Sequence, residues 1–152
     1  MPSKSALIDT SAWLFALRKD FLPDIKDRLD FLLRENLVLT TGIIRLELLA
    51  GTKTESEYDR LKNRLSTLEN IETDDSLWEM ACDLGFKLRR KGVTIPYTDI
   101  LIATCALSAG CIILHADNHF DIIAEHFNLN SESYVIAARK NLSVHGFSGS
   151  RL

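Results

Sequence analysis

Three short, mostly apolar segments constrain the fold of this 152-residue chain more than any other feature. They span residues 5–8, 37–41 and 111–115, and none of them alternates apolar with polar side chains. Strands without alternation are typical of a parallel sheet that is covered by helices on both faces. The segments therefore predict an α/β fold, a three-layer α/β/α sandwich with a central, mostly parallel sheet.

The stretches between these segments show the spacing of amphipathic or apolar helices. Helices are predicted after Asp9, after Asp117, and over residues 24–35, 43–51, 54–68, 74–91 and 97–110. No linker, repeat or low-complexity tract divides the chain, and 46% hydrophobic with 26% charged residues is ordinary globular usage. We expect a single domain over residues 1–142 and a flexible, polar, Gly/Ser-rich tail over residues 143–152.

Neither a secretory signal nor a membrane segment is predicted. The first apolar run stops at Asp9, and no run approaches the roughly 18–20 residues of a membrane helix. Cys82, Cys105 and Cys111 form no CxxC motif and lie among apolar residues, which indicates buried, reduced thiols of a cytoplasmic protein. A zinc site of Cys105, Cys111 and His115 is the alternative, although it lacks a second ligand pair.

Four carboxylates occur where predicted strands end, where a helix begins, or among apolar neighbours. Asp9 follows the first strand, Asp117 follows the third, Asp99 opens the apolar helix, and Glu47 is embedded in IIRLELLAG. Ligands of open parallel sheets bind beyond the carboxyl ends of the strands, so Asp9 and Asp117 are expected to share a cleft that Asp99 also faces. Each aspartate could instead be a helix cap, and Glu47 could be partly exposed or paired with Arg45 or Lys53.

Converging carboxylates repel one another, and a divalent cation is the natural compensation. The four acids include no paired histidine and no cysteine, and such oxygen ligands favour Mg²⁺ or Mn²⁺. One or two of these ions suit phosphodiester hydrolysis, because a bound water becomes the nucleophile and a second ion stabilises the leaving oxygen. The hydroxyls of Thr10, Ser11 and Thr98 adjoin the acids, where they either orient the water or a phosphate oxygen or cap the helices.

Three blocks of the sequence resemble the PIN-domain nucleases, in particular the VapC-type toxins of bacterial and archaeal toxin–antitoxin pairs. The blocks are LIDTSAW (7–13), IIRLELLAG (43–51) and YTDILIATCALSAGCIILHADNHFD (97–121), and the resemblance extends over residues 5–135. The third block is the most specific, since it joins an acid, an apolar helix, a glycine, an apolar strand and a second acid followed by phenylalanine.

This resemblance places the family's four acids on Asp9, Glu47, Asp99 and Asp117. It implies a Mg²⁺- or Mn²⁺-dependent endoribonuclease that cuts single-stranded RNA and leaves 5′-phosphate and 3′-hydroxyl ends. It also implies a homodimer and a small antitoxin that occludes the acidic cleft. We expect Asp9, Asp99 and Asp117 to hold the metal, directly or through water, while Glu47 orients or deprotonates the attacking water.

The chain departs from the family pattern two residues after the fourth acid. Many relatives carry a further acid there, where this chain has His119. Either Asp121 replaces that acid or the second metal site is weakened, so the number of ions stays open.

A basic run lies at the end of the predicted helix 74–91 and consists of Lys87, Arg89, Arg90 and Lys91. It is a candidate contact for the RNA backbone, and the alternative is a solvated helix end that complements the helix dipole. The net charge of −3 does not argue against RNA, because without the four site acids 18 basic residues face 17 acidic ones.

Two other classes of function compete with the ribonuclease. One is a non-catalytic PIN-like domain that binds a protein partner, against which the presence of all four acids argues. The other is a nuclease directed at DNA or flaps, which only a comparison of substrates separates. Trp13, Phe15 and Trp78 lie on apolar helix faces and are expected in the core, not as platforms for bases.

Overall fold

The computed structural model describes residues 4–17 and 22–145, with side chains to residue 140. Helices and strands alternate along these residues. In chain order they are β1 (Ala6–Ile8), α1 (Thr10–Leu17), α2 (Pro23–Arg34), β2 (Val38–Thr41), α3 (Gly42–Ala50), α4 (Glu55–Ser66), β3 (Glu69–Ile71), α5 (Asp75–Arg90), α6 (Tyr97–Ala109), β4 (Ile112–His115), α7 (Asn118–His126), β5 (Ser131–Ser133) and α8 (Val135–His145).

The five strands form one sheet in the order β3-β2-β1-β4-β5, and every pairing is parallel. Crossovers between parallel strands are right-handed, which places α1–α4 on one face of the sheet and α5–α7 on the other. The predicted α/β sandwich with a parallel sheet is confirmed.

The three predicted strands are the central ones, and the two edge strands are missing from the prediction. β1 and β2 are buried along their whole length, and β4 is buried except at Ile112. The edge strands β3 and β5 read Glu-Asn-Ile and Ser-Glu-Ser and are mostly exposed. Polar side chains are typical of short edge strands, so no apolar run marks them in the sequence.

The core lies on both faces of the central strands, and it includes most of the residues expected there. Trp13 and Phe15 are each 3% exposed, and Cys105 and Cys111 are buried free thiols. These parts of the core prediction are confirmed.

Trp78 and Cys82 are exposed, so the prediction that they are buried is wrong. Trp78 is 51% exposed, and Cys82 is an exposed free cysteine. Helix α5 buries a single stripe of side chains, and each of the two residues lies one position, about 100°, beyond a member of that stripe. The stripe consists of Leu77, Ala81, Leu84 and Leu88.

The C-terminal helix reaches into the segment that is predicted as a tail. α8 continues to His145, and residues 146–152 lie outside the described residues. Among the helices that the structure describes, none is long and apolar enough to cross a membrane.

The sheet has a switch point between β1 and β4. From β1 the chain proceeds to β2 and β3 on one side, and it then returns across the sheet to β4 and β5 on the other. The connections on the two sides therefore cover opposite faces, which leaves a crevice beyond the carboxyl ends of β1 and β4.

Candidate active site

The two central strands bring Asp9 and Asp117 to the switch point. β1 and β4 pair in register, with Ile8 beside Leu114, and the Asp9 amide donates to the Leu114 carbonyl at 3.0 Å. Asp9 thus follows directly on β1, and Asp117 lies two residues beyond the end of β4. The pairing of β1 and β4 therefore brings both acids to the same edge of the sheet.

Ser11 ties Asp9 to the end of β4. Its hydroxyl donates to Asp9 Oδ2 at 2.6 Å, and its amide donates to the same oxygen at 3.0 Å. The hydroxyl also accepts from the Ala116 amide at 3.0 Å. The side chain of Ser11 therefore positions a carboxylate that is only 3% exposed.

Asp99 and Glu47 enter the cleft from helices on opposite faces of the sheet. Asp99 lies in the first turn of α6, and its side chain is 13% exposed. Glu47 lies on α3 and accepts from the Thr10 hydroxyl at 3.0 Å. Contrary to expectation, Glu47 is exposed, because α3 buries the stripe of Ile44 and Leu48 while Glu47 lies beside it.

The four acids are close enough to affect one another's ionisation. Burial raises the pKa of Asp9 from its ordinary 3.8 to about 6, and the charges of Asp99 and Glu47 add to this effect against the hydrogen bonds from Ser11. Desolvation likewise raises the pKa of Glu47 and that of Asp99, and Asp117 contributes repulsion to both. Negative charge is thus concentrated where water stabilises Asp9 and Asp99 poorly, while Glu47 stays open to solvent.

His119 lies between two of these acids. Its Nδ1 atom is 2.7 Å from Asp99 Oδ2 and 3.2 Å from Asp117 Oδ1. Among the described residues, Asp99, Asp117 and His119 are the one group of three or more potential ligands whose donor atoms all lie within 4.8 Å of one another. We call these three residues the acid–histidine cluster.

The donor set of the acid–histidine cluster fits a divalent cation. It offers two carboxylates and an imidazole as ligands. The raised pKa of Asp99 is a sign of negative charge that the surrounding groups do not fully compensate. Asp9 and Glu47 lie outside the 4.8 Å group but interact electrostatically with Asp99. The zinc site of Cys105, Cys111 and His115 is wrong, since it forms no such group within the described part of the chain.

Asp121 lies apart from the acid–histidine cluster. Its carboxylate accepts from the Ser133 hydroxyl at 3.2 Å and lies 3.5 Å from His115 Nε2. His115 is fully buried, burial lowers its pKa, and its Nδ1 accepts from the Asp117 amide at 3.3 Å. Asp121 and His115 therefore support the loop that carries Asp117. Asp121 does not replace the acid that is missing at position 119, because His119 itself lies beside Asp99 and Asp117.

Two of the three hydroxyl residues that adjoin the acids in the sequence contact a site carboxylate, and the third does not. Ser11 and Thr10 contact site carboxylates, as described above, whereas Thr98 is exposed in the first turn of α6.

The basic run is exposed at the end of α5, and part of it is engaged. Lys87 pairs with Asp83 at 2.7 Å, an acid that lies just before the run. Arg89 donates to the Tyr97 hydroxyl at 3.0 Å, and Tyr97 begins the helix that carries Asp99. Arg89 therefore links the end of α5 to the start of α6.

A second basic surface was missed by the sequence reasoning. A groove of about 770 Å³ runs between α1, α3 and α4, and Thr10 and Glu47 form part of its wall. Three exposed basic residues, Lys53, Arg60 and Arg64, line the same groove together with the acidic Glu57. The spacing of Arg60 and Arg64 by four residues is a signal for one helix face, but only the fold shows that this face borders Glu47.

Comparison with known proteins gives the family. The PIN-domain family model matches residues 6–126. The chain belongs to the PIN-domain family, which confirms the resemblance seen in the three sequence blocks.

Individual relatives and solved structures agree with this. The chain is 29% identical over 131 residues to "Ribonuclease VapC11" of Mycobacterium tuberculosis, covering 84% of this chain and 98% of that protein. It is 31% identical over 121 residues to "Ribonuclease VapC51" of the same species, covering 78% and 84%. The structure of VapBC2 from Rickettsia felis, bound to a promoter DNA fragment, superposes with a TM-score of 0.70 at 23% identity, covering 84% of this chain and 97% of that chain. DNA-bound VapBC from Salmonella typhimurium gives 0.69 at 21% identity, covering 87% and 99%, and both confirm the fold.

Proposed function

We propose that this protein is a Mg²⁺- or Mn²⁺-dependent endoribonuclease that cuts single-stranded RNA, and that it is the toxin of a toxin–antitoxin pair. The observation that carries the proposal is the convergence of Asp9, Glu47, Asp99 and Asp117 at the switch point of the sheet. Relatives named VapC ribonucleases, matched over most of their length, support it.

In this proposal Asp99 and Asp117 hold the ion, with Asp9 as a further ligand, directly or through water. A bound ion supplies an activated water and neutralises charge on the phosphate. Glu47 accepts the proton of the attacking water, and desolvation raises the pKa of its carboxylate above the ordinary value, which makes it a stronger base than a free glutamate. Thr10 orients Glu47, and Ser11 holds Asp9 in place. The water oxygen would bond to phosphorus as the bond to the 3′ oxygen breaks, and the leaving oxygen would take a proton from solvent water, which leaves 5′-phosphate and 3′-hydroxyl ends.

The RNA backbone follows the groove beside Glu47, where Lys53, Arg60 and Arg64 offer positive charge next to the acids. The basic run at the end of α5 is a further candidate contact for the RNA backbone. A small antitoxin that covers the cleft and groove would exclude RNA, and solved VapBC complexes of this fold support such a partner. The protein acts in the cytoplasm as a homodimer in this proposal.

Chelation tests the metal dependence. We expect cleavage of a single-stranded RNA in the presence of Mg²⁺ or Mn²⁺ and its loss in EDTA, since the ion supplies several kcal/mol of transition-state stabilisation. The measurement is gel analysis of an end-labelled RNA, with re-addition of metal as the control. Cleavage that persists in EDTA would contradict the metal mechanism.

A comparison of substrates tests the preference for RNA. Single-stranded DNA and flap substrates of the same sequence are assayed in parallel, and faster cleavage of either would favour the DNA-directed alternative.

The groove has its own test. We expect the double variant Arg60→Ala/Arg64→Ala to raise KM for RNA about 5- to 10-fold at low salt and to weaken its salt dependence, because phosphate contacts are lost. The matched variant Lys87→Ala/Arg90→Ala should have a smaller effect, since Lys87 is paired with Asp83 and Arg90 lies over the Phe86 ring. An unchanged KM in the groove variant would show that RNA does not follow this groove.

A further inference from the structure

The position of His119 in the acid–histidine cluster bears on which metal ion the cluster binds. His119 lies in the first turn of α7, and its amide donates to Asp117 Oδ1 at 2.9 Å. Its Nδ1 atom faces Asp99 Oδ2 at 2.7 Å and the same Asp117 oxygen at 3.2 Å. Three donor atoms from α6, α7 and the residue that precedes α7 thus meet at one point.

The separations between these donor atoms are those of neighbouring ligands around one ion. In octahedral coordination each ligand atom lies about 2.1 Å from the ion, so adjacent ligand atoms lie about 3 Å apart. The two distances from Nδ1, 2.7 and 3.2 Å, bracket this value. Both separations lie within about 0.3 Å of it, so the imidazole nitrogen and the two carboxylate oxygens can be ligands of one ion.

We propose that His119 binds the divalent ion through Nδ1 and that it makes this site select Mn²⁺ over Mg²⁺ more strongly than an all-carboxylate site does. The inference rests on the proposed metal-dependent function and deepens it. Mg²⁺ is a hard ion that prefers oxygen ligands, whereas imidazole nitrogen suits transition metals, and affinity for them rises beyond Mn²⁺ along the first-row series.

The competing explanation is that His119 only bridges the two carboxylates by hydrogen bonding. In that case the ring would leave the site when an ion enters, and its removal would change the affinities for Mg²⁺ and Mn²⁺ by the same factor. The two explanations therefore differ in the ratio of affinities and in the atoms bound to the ion.

Pulsed EPR of the Mn²⁺-loaded protein measures the bound atoms directly. We expect ¹⁴N modulation from a coordinated imidazole in the wild type and its loss in His119→Asp and His119→Ala. His126→Ala is the matched control, because His126 is exposed at the other end of α7, and it should keep the signal. Calorimetry should show that the preference for Mn²⁺ over Mg²⁺ falls about tenfold or more in His119→Asp.

Each result decides the inference. Mn²⁺ binding without ¹⁴N modulation in the wild type would overturn the role of His119 and leave the proposed function standing. Modulation that survives in both His119 variants, or an unchanged preference between the ions, would overturn it as well. Failure of the wild type to bind either ion would overturn the metal mechanism and this inference together. Circular dichroism of both variants shows whether they are folded, and His119→Ala serves if the added charge of His119→Asp prevents folding.

Discussion

Asp99→Asn should reduce RNA cleavage about 100-fold or more while leaving the protein folded. Asp99 is the acid that interacts with every other member of the site, since it contacts His119 at 2.7 Å and its charge acts on Asp9 and Glu47. Loss of an anionic ligand weakens ion binding, and a loss of about 3 kcal/mol in transition-state stabilisation corresponds to a factor of more than 100.

The fold is expected to tolerate this change, because burial raises the pKa of Asp99 and a neutral amide relieves the repulsion from Asp117. The amide oxygen can still accept from His119 if the imidazole Nδ1 carries the hydrogen.

Single-turnover cleavage of a labelled RNA at saturating Mg²⁺ is the measurement. Asp27→Asn is the matched control, since it makes the same chemical change at an exposed position of α2 and should cleave at the wild-type rate. Thermal unfolding in EDTA checks that Asp99→Asn is folded. Undiminished cleavage by folded Asp99→Asn would remove Asp99 from the mechanism.

Among the strands, the sequence predicts those whose side chains are buried on both faces of the sheet. β1, β2 and β4 are central strands, and their continuous apolar character distinguishes them from the helices. The edge strands β3 and β5 are held by backbone pairing with β2 and β4, respectively, and their polar side chains carry no such signal. Whether such a segment forms an edge strand therefore depends on the strand that it pairs with, and the local sequence carries no information about that pairing.

The same reasoning explains which exposures were predicted wrongly. Glu47 and Trp78 both have apolar neighbours along the chain, yet both lie next to a buried stripe and not in it. Trp78 lies about 100° from Leu77, so this apolar neighbour in the chain does not bury it. Glu47 follows the buried Ile44 by three positions, yet it lies at the edge of that stripe, and its carboxylate accepts from Thr10 of α1 while it stays exposed. Apolar residues at helical spacing therefore do not by themselves bury a residue at the edge of their stripe.

The candidate site was predictable to the extent that it depends on topology. Asp9 and Asp117 follow strands that pair, so a parallel sheet in which these strands are neighbours brings both acids to one edge. The place of His119 depends on the side-chain rotamer and on how α6 packs beside α7, and neither is written in the local sequence. For the same reason the sequence shows a missing acid at this position, whereas the structure shows an imidazole nitrogen between two carboxylates.

Asp9→Asn should stabilise the metal-free protein at pH 7 by up to about 3 kcal/mol and remove part of its pH dependence. Burial raises the pKa of Asp9 from 3.8 to about 6. Between these values the folded state binds more protons than the unfolded state, so stability is highest below about pH 4 and is lost as the pH rises through about 6. A pKa shift of this size corresponds to about 3 kcal/mol of folding free energy, which the wild type loses when Asp9 ionises. Asp9→Asn does not lose it, because asparagine stays neutral.

Urea unfolding in EDTA at several values between pH 4 and pH 7 measures this difference, with the same Asp27→Asn variant as the control. We expect the unfolding free energy of Asp9→Asn minus that of the wild type to grow as the pH rises from 4 to 7, while Asp27→Asn follows the wild type. Millimolar Mg²⁺ should then stabilise the wild type more than Asp9→Asn, because a cation compensates the buried carboxylate that the variant lacks. Parallel pH curves for Asp9→Asn and the wild type would mean that Asp9 is ionised without cost, and the case for a cation beside it would lose its electrostatic basis.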